Sequence, residues 1–438
     1  MNLIKQFLKH ALVIVVLGYP IYHLLHTLHV LNPLEKELAD FKFTDIYFGH
    51  FQKSKLDTNI YLLDVGMKDN TTTRSEIANF INTINKKYKP KVIALDVQFL
   101  RDTSVSDDVN VNLVNSLAND NIVLGYDLMN RTKKKKWYPN RSELPFNYNI
   151  IKEGYLNNLV AKTDTSFGVE RFFMPSIIQD NDTLKHFSVV VSEKYGDNFD
   201  KSLLRDDNKV MINFKYKYHN PISIGDTNDY SKLKDKIVIV GLFTKNKKGN
   251  PLYSEDMHYT SSNKVYLGKS PPNMYGGEVL ATIVSNINNN KFVKYYQSLS
   301  SWLNIILSIL IYLMLLYFMG KSHNIFAATS IITQFGFVSL FVFLSVFFVW
   351  KFNVYLDLTI LGIITFFSVE FIGVIEEIIC LVESKITRLI KRPLKVENHI
   401  IKEKNTCSAI SKSTGVQCRN KTKNESMYCG VHNKKKTL

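Results

Sequence analysis

Cysteine is nearly absent from this chain of 438 residues. The four present are Cys380, Cys407, Cys418 and Cys429. Nothing between Met1 and Ile379 can form a disulfide, so the large middle region must be held by core packing alone. Also missing are a Gly-rich phosphate loop, a G-x-S-x-G elbow and an H-E-x-x-H pair, and the chain is expected not to be an enzyme. Acidic residues are scarce towards the C-terminus. From Glu383 to Leu438 there are fourteen Lys or Arg against four Asp or Glu, a net +10 out of +16 for the whole chain. Such an excess suits nucleic acid, anionic lipid or the inner side of a membrane, and topology is the simplest account.

Three apolar runs near the C-terminus, Leu299 to Met319, Ile325 to Val349 and Val354 to Ile375, reach the roughly 20 helical residues that a bilayer core requires. They contain no Lys, Arg or Asp except Asp357. Glu370, five residues before Ile375, is expected at the interface. A fourth run, Ala11 to Leu31, follows Lys5 and Lys9 and has no A-x-A-like cleavage site, so it reads as an uncleaved anchor. Basic residues at both ends place both termini in the cytoplasm, and four crossings agree with that parity. The expected order is a cytoplasmic 1–10, a membrane helix over 11–31, an extracytoplasmic domain over 32–297, and membrane helices over 299–319, 325–349 and 354–375. A basic linker helix over 376–400 and a zinc motif with basic tail over 401–438 complete it. The implied location is the inner (plasma) membrane.

The outer region reads as α/β with a mostly parallel sheet. Ile60–Val65, Val92–Phe99, Ile122–Tyr126 and Lys236–Phe243 are near-continuous apolar runs of strand length, and helical patterns over Arg74–Tyr88 and Asp107–Asn119 supply crossovers. Gly276–Asn289 is expected to be a helix. Weaker strands are expected at Gly168–Ile177 and Lys209–Phe214, with a helix around His186–Tyr195. Lys133 to Lys136 reads as a solvated loop.

Several of these pieces are similar to one family. Thr44-Asp-Ile-Tyr-Phe48, Ile60–Val65 with Asp64, Val92–Phe99 with Asp96, Lys234–Gly241, Glu255–Thr260 and Met274–Ala281 occur in its order. Over roughly Leu34 to Ile375 the chain resembles the CHASE2 family, extracytoplasmic sensory domains of bacterial signalling proteins. The family's one span before the domain and three after it also match. Two positions depart from its pattern: Ser261 follows Thr260 where proline is usual, and Gly277 precedes Glu278 where valine is more common.

In an open parallel sheet ligands bind beyond the carboxyl ends of the strands. Asp64 and Asp96 fall at such ends, and Asp256 and His258 follow the Lys236–Phe243 strand. These four are the candidate site, suited to a cationic ligand or a divalent metal. The competing reading makes the acids helix caps and loop acceptors.

The tail carries a second candidate. Cys407, Cys418, Cys429 and His432 supply three thiolates and an imidazole, a complete tetrahedral set for one structural zinc ion. With so few apolar neighbours, metal would have to supply the folding energy.

Members of the resembled family commonly carry a cyclase or kinase after the last span, whereas Glu383 to Leu438 holds only 56 residues. The resemblance therefore implies a sensor whose output passes through a partner of the zinc tail. That partner is expected to be a protein, with nucleic acid and anionic lipid left open, as is self-association. The outer ligand or protein is unspecified. A non-switching membrane anchor for an envelope protein is the alternative, and a metal-dependent outer enzyme ranks third.

Overall fold

The computed structural model describes residues 3–13, 42–66, 73–100, 102–131, 136–143, 151–157, 169–180, 182–196, 209–225, 227–243, 256–264, 272–321, 323–390 and 410. The chain divides into one unit over Met1–Glu376 and another over Glu377–Leu438. The latter is described only along the end of one helix and at Ile410.

The chain is mixed α/β. The strands that matter below are β1 (Ile60–Asp64), β2 (Val92–Leu95), β3 (Ile122–Arg131), β4 (Lys136–Asn140), β5 (Lys152–Tyr155), β6 (Val169–Glu170), β7 (Ile222–Ser223), β8 (Ile237–Gly241), β9 (Met257–Thr260), β10 (Met274–Tyr275), β11 (Lys294–Tyr295) and β12 (Val354–Tyr355). The helices are α1 (Leu3–Val13), α2 (Phe43–Ile46), α3 (Arg74–Thr83), α4 (Asp107–Leu117), α5 (Phe187–Tyr195), α6 (Gly276–Asn289), α7 (Gln297–Met319), α8 (His323–Ile331), α9 (Val338–Phe352) and α10 (Thr359–Ile390).

The main sheet has seven strands in the order β7-β1-β8-β2-β3-β4, with β5 also on β3. Its pairings are parallel from β7 through β3 and for β5, and antiparallel between β3 and β4. Side-chain alternation divides its core in two. Tyr61, Leu63, Ile93, Leu95, Val238 and Val240 pack with α3 and α4 through Ile77, Ile81, Leu113 and Leu117. Ile60, Leu62, Val92, Ala94, Ile237 and Ile239 pack with α5 and α6 through Phe187, Val191, Leu280 and Val284. A sheet covered on both faces explains why these strands are apolar throughout. At the start of α3, Thr73 accepts from Glu76 N while Glu76 accepts from Thr73 N at 2.7 Å, closing a capping box.

Among the described residues two stretches are long and apolar enough to cross a membrane, Gln297–Met319 and Ile325–Phe352, against the four expected. The second joins α8 to α9 through a π-helical turn, Ile332–Phe337. The run over 11–31 lies outside the described residues except for 11–13, which close α1. The expected span over 354–375 is redrawn. Val354 and Tyr355 pair with Lys294 and Tyr295 as a parallel β12–β11 ladder, so the helix starts only at Thr359. It then runs to Ile390, absorbing the first part of the expected linker and carrying Glu370, Glu376 and Glu377. Lys136, expected in a loop, opens β4 and meets Asp180 at 2.7 Å, while 133–135 lie outside the described residues.

Candidate ligand site at the carboxyl ends of the parallel strands

Register and alternation together assemble the site. Asp64 is opposite Gly241, and Val240 is opposite Leu95, so Asp96 follows in the same row. Residues 60, 62 and 64, like 92, 94 and 96, face α6. Asp127 lies on β3 with the same parity as Val123, which faces the side of the sheet covered by α5 and α6. Asp64 and Asp96 are thus on one face, two strands and about 10 Å apart.

Gly241 occupies the gap between them, and a Cβ there would meet the Asp96 Cβ at 3.4 Å. The first turn of α6 lies above this row. A Cβ on Gly277 would come within 2.6 Å of Phe243 Cζ, and one on Gly276 within 2.6 Å of Asp256 Oδ1. The lack of a Cβ at both positions leaves room for that approach, which brings the partial positive charge of a helix N-terminus towards carboxylates.

His258 arrives on β9 and Asp256 immediately before it; β9 pairs with β10 on one side and with β6 on the other. Opposite Thr260, β6 places Glu170 on the same side as His258. His258 Nδ1 lies 3.4 Å from Glu170 Oε1, and Nε2 lies 3.5 Å from Asp256 Oδ1. Asp256, then Glu170, raise the imidazole to a pKa of about 10, so it is an imidazolium at neutral pH. The other carboxylate oxygen, Glu170 Oε2, is buried and has no hydrogen-bond partner among the described residues. Burial, followed by the charges of Asp256 and Asp127, pushes Asp96 up to about 7. Burial also raises Asp127.

The four expected residues therefore part company. Asp96, Asp256 and His258 act on one another electrostatically, and Glu170 and Asp127 join them. Asp64 is used structurally: its Oδ1 accepts from Gly66 N at 2.9 Å and Phe243 N at 3.0 Å, fixing the loops after β1 and β8. Glu170 and Asp127 escaped the sequence reading because nothing local pairs Glu170, inside the expected Gly168–Ile177 strand, with β9, and because β3 continues beyond the apolar run that marked it. Among the described residues no group of three or more His, Cys, Asp or Glu is arranged to hold a metal ion. The tail ligands Cys407, Cys418, Cys429 and His432 lie outside the described residues.

The site's wall continues towards the apolar helices. Arg171, next to Glu170, pairs with Asp45 through two contacts, Nη2 to Oδ2 at 2.7 Å and Nε to Oδ1 at 3.1 Å. The two residues are 5% and 4% exposed. Beside Asp45, Lys42 Nζ meets Asp357 Oδ2 at 3.0 Å, and Phe43 N donates to Thr359 Oγ1 at the start of α10.

The site residues from Asp64 to His258, with Asp45 and Arg171, lie within the range of a family model: the CHASE2 domain matches residues 14–318, which leaves Asp357 and Thr359 beyond it. The chain belongs to the CHASE2 family. CHASE2 domains are sensory, which agrees with a sensor role for this chain. No curated protein and no solved structure matches it.

Proposed function

We propose that this CHASE2 protein is a non-enzymatic membrane sensor, spanning the inner membrane four times with both termini in the cytoplasm and residues 32–297 outside. Its outer domain receives a ligand bearing a cationic group at Asp96, Asp256, Glu170 and His258. The change passes through the membrane helices to a partner held by the tail, where Cys407, Cys418, Cys429 and His432 bind one zinc ion. The apolar lengths of α7 and Ile325–Phe352 support the membrane placement, and the excess of carboxylates over imidazole supports a cationic ligand.

The observation that carries the relay is the adjacency of Glu170 and Arg171. One side chain contacts His258, and the next is clamped to Asp45, whose helix abuts Thr359 at the head of α10. A ligand that displaces Glu170 from His258 acts on the residue that adjoins Arg171 in the chain. It biases α10 to the extent that it binds the two arrangements with different affinity. Cys380 is exposed on α10 and supplies a reporter. Peptide-resolved alkylation of Cys380 in native membranes is expected to change rate in Glu170→Gln and in Arg171→Met. Equal rates in wild type and both variants would refute the relay and leave a static anchor for an envelope protein.

A further inference from the structure

Glu370, expected at the interface, stands well inside α10 rather than near either of its ends. It lies eleven residues below Thr359, the first residue of α10, or about 16 Å at 1.5 Å per residue. Its partner Gln334 lies eleven residues above His323, where α8 begins at the opposite end, and reaches a similar depth. Both are therefore near the middle of a bilayer core about 30 Å thick.

Glu370 is exposed on the surface of the helices there, among Phe367, Phe371 and Val374, which are exposed as well. Among the described residues its side chain has one hydrogen bond, from Gln334 Nε2 at 3.3 Å, and the same nitrogen reaches Phe366 O at 3.4 Å. A carboxyl group facing hydrocarbon with so little compensation is costly, and such groups usually face protein rather than lipid. One turn away on the same face is Gly373, where an added Cβ would meet nothing within 4 Å. A second helix can approach closely there.

We propose that this face of α10 docks against a second copy of the chain, about a two-fold axis along the membrane normal. The argument for a second copy is self-complementarity. Each face offers one carboxylic acceptor and one carboxamide with two N–H donors. A two-fold axis lets Gln334 of each copy donate to Glu370 of the other while keeping its own contact. The proposal rests on the membrane placement proposed above, but not on the ligand site or the relay.

The test is subunit counting of the full chain by single-molecule photobleaching in nanodiscs cut from native membranes, after a carbonate wash. Wild type and Glu370→Gln, which keeps the hydrogen bonding, are expected to bleach in two steps. Glu370→Leu and Gln334→Leu are expected to dimerise about tenfold more weakly, the loss of two symmetric interhelical hydrogen bonds. Gly373→Leu, which fills only open space in the single chain, is expected to weaken dimerisation similarly and guards against variants that fail to fold. Single-step bleaching of wild type, a complex with a different protein in place of the second copy, or undiminished dimers in Glu370→Leu would each overturn the proposal. Release of the chain by carbonate would instead overturn the membrane reading, and this inference with it.

Discussion

Replacing Arg171 by methionine is the sharpest probe of how the outer domain is tied to the apolar helices. The guanidinium reaches both oxygens of Asp45, and both residues are almost wholly buried. Methionine keeps much of the side-chain volume but strands the carboxylate. Breaking a buried pair by removing one partner costs about 3–5 kcal/mol, mostly the penalty of an uncompensated buried charge. For a domain of some 250 residues, each kcal/mol is worth about 2–4 °C, so Arg171→Met should lower the melting temperature by about 10 °C in detergent or nanodiscs. Asp45→Leu should be similarly destabilising. The double variant, with no charge left to strand, should lose much less than the sum, giving a coupling of at least about 2 kcal/mol in a double-mutant cycle. Additivity to within about 0.5 kcal/mol would show that the two charges do not depend on each other, and would refute the clamp.

Other expectations follow from the site and the tail. Because Asp96 is raised from 3.8 to about 7 in the folded chain, the native state binds the extra proton. Stability should fall as pH rises from about 4 to 7, by up to roughly 4 kcal/mol, and Asp96→Asn should flatten that slope in pH-dependent melting. A wild-type profile flat over this window would count against a desolvated Asp96. His258, held at about 10 by Asp256 and Glu170, should remain protonated at pH 8 in an NMR titration, and Glu170→Gln should move its titration down. No movement would mean that Glu170 does not touch the ring. The purified chain should carry about one zinc ion, lost in Cys418→Ser, and full metal retention by that variant would remove the tail assignment.

The sheet was legible in advance because burial on both faces leaves an unbroken apolar run. Ile60–Leu63, Val92–Leu95 and Ile237–Val240 announce themselves this way, and α6 forms over the expected Gly276–Asn289. Contacts made by very short strands were not legible. β6 falls inside the expected Gly168–Ile177 strand, which breaks into shorter pieces, but nothing local shows that β6 pairs with β9 and brings Glu170 to His258, or that Arg171 lies beside Asp45. Asp45 and Arg171 are separated by 126 positions, a distance at which no local pattern can couple them. The start of the last apolar helix was not legible for a related reason. Hydropathy counts Val354 and Tyr355 into the span, but their backbone pairs with Lys294 and Tyr295 and postpones the helix to Thr359. That shift, with the helix continuing past Glu376, puts Glu370 eleven residues after the first residue of α10.

Carboxylates of similar sequence context thus separate by what already occupies them. Asp45 is committed to Arg171, and the Oδ1 of Asp64 to two loop amides, so neither is well placed to respond to a ligand. Among the described residues Asp96 has no side-chain hydrogen bond comparable to these. Its pKa is set by burial and by the charges of Asp256 and Asp127, which makes it the group most open to a newly arriving positive charge. A cationic ligand there would favour the ionised carboxylate and compete with the His258 imidazolium for Asp256 and Glu170. Releasing Glu170 from His258 is the step that bears on Arg171. Ligand affinity should accordingly rise with pH through about 7, as Asp96 gives up its proton, and Asp96→Asn should abolish that rise. Binding equally tight at pH 5 and pH 8 would show that Asp96 is not part of the ligand's environment.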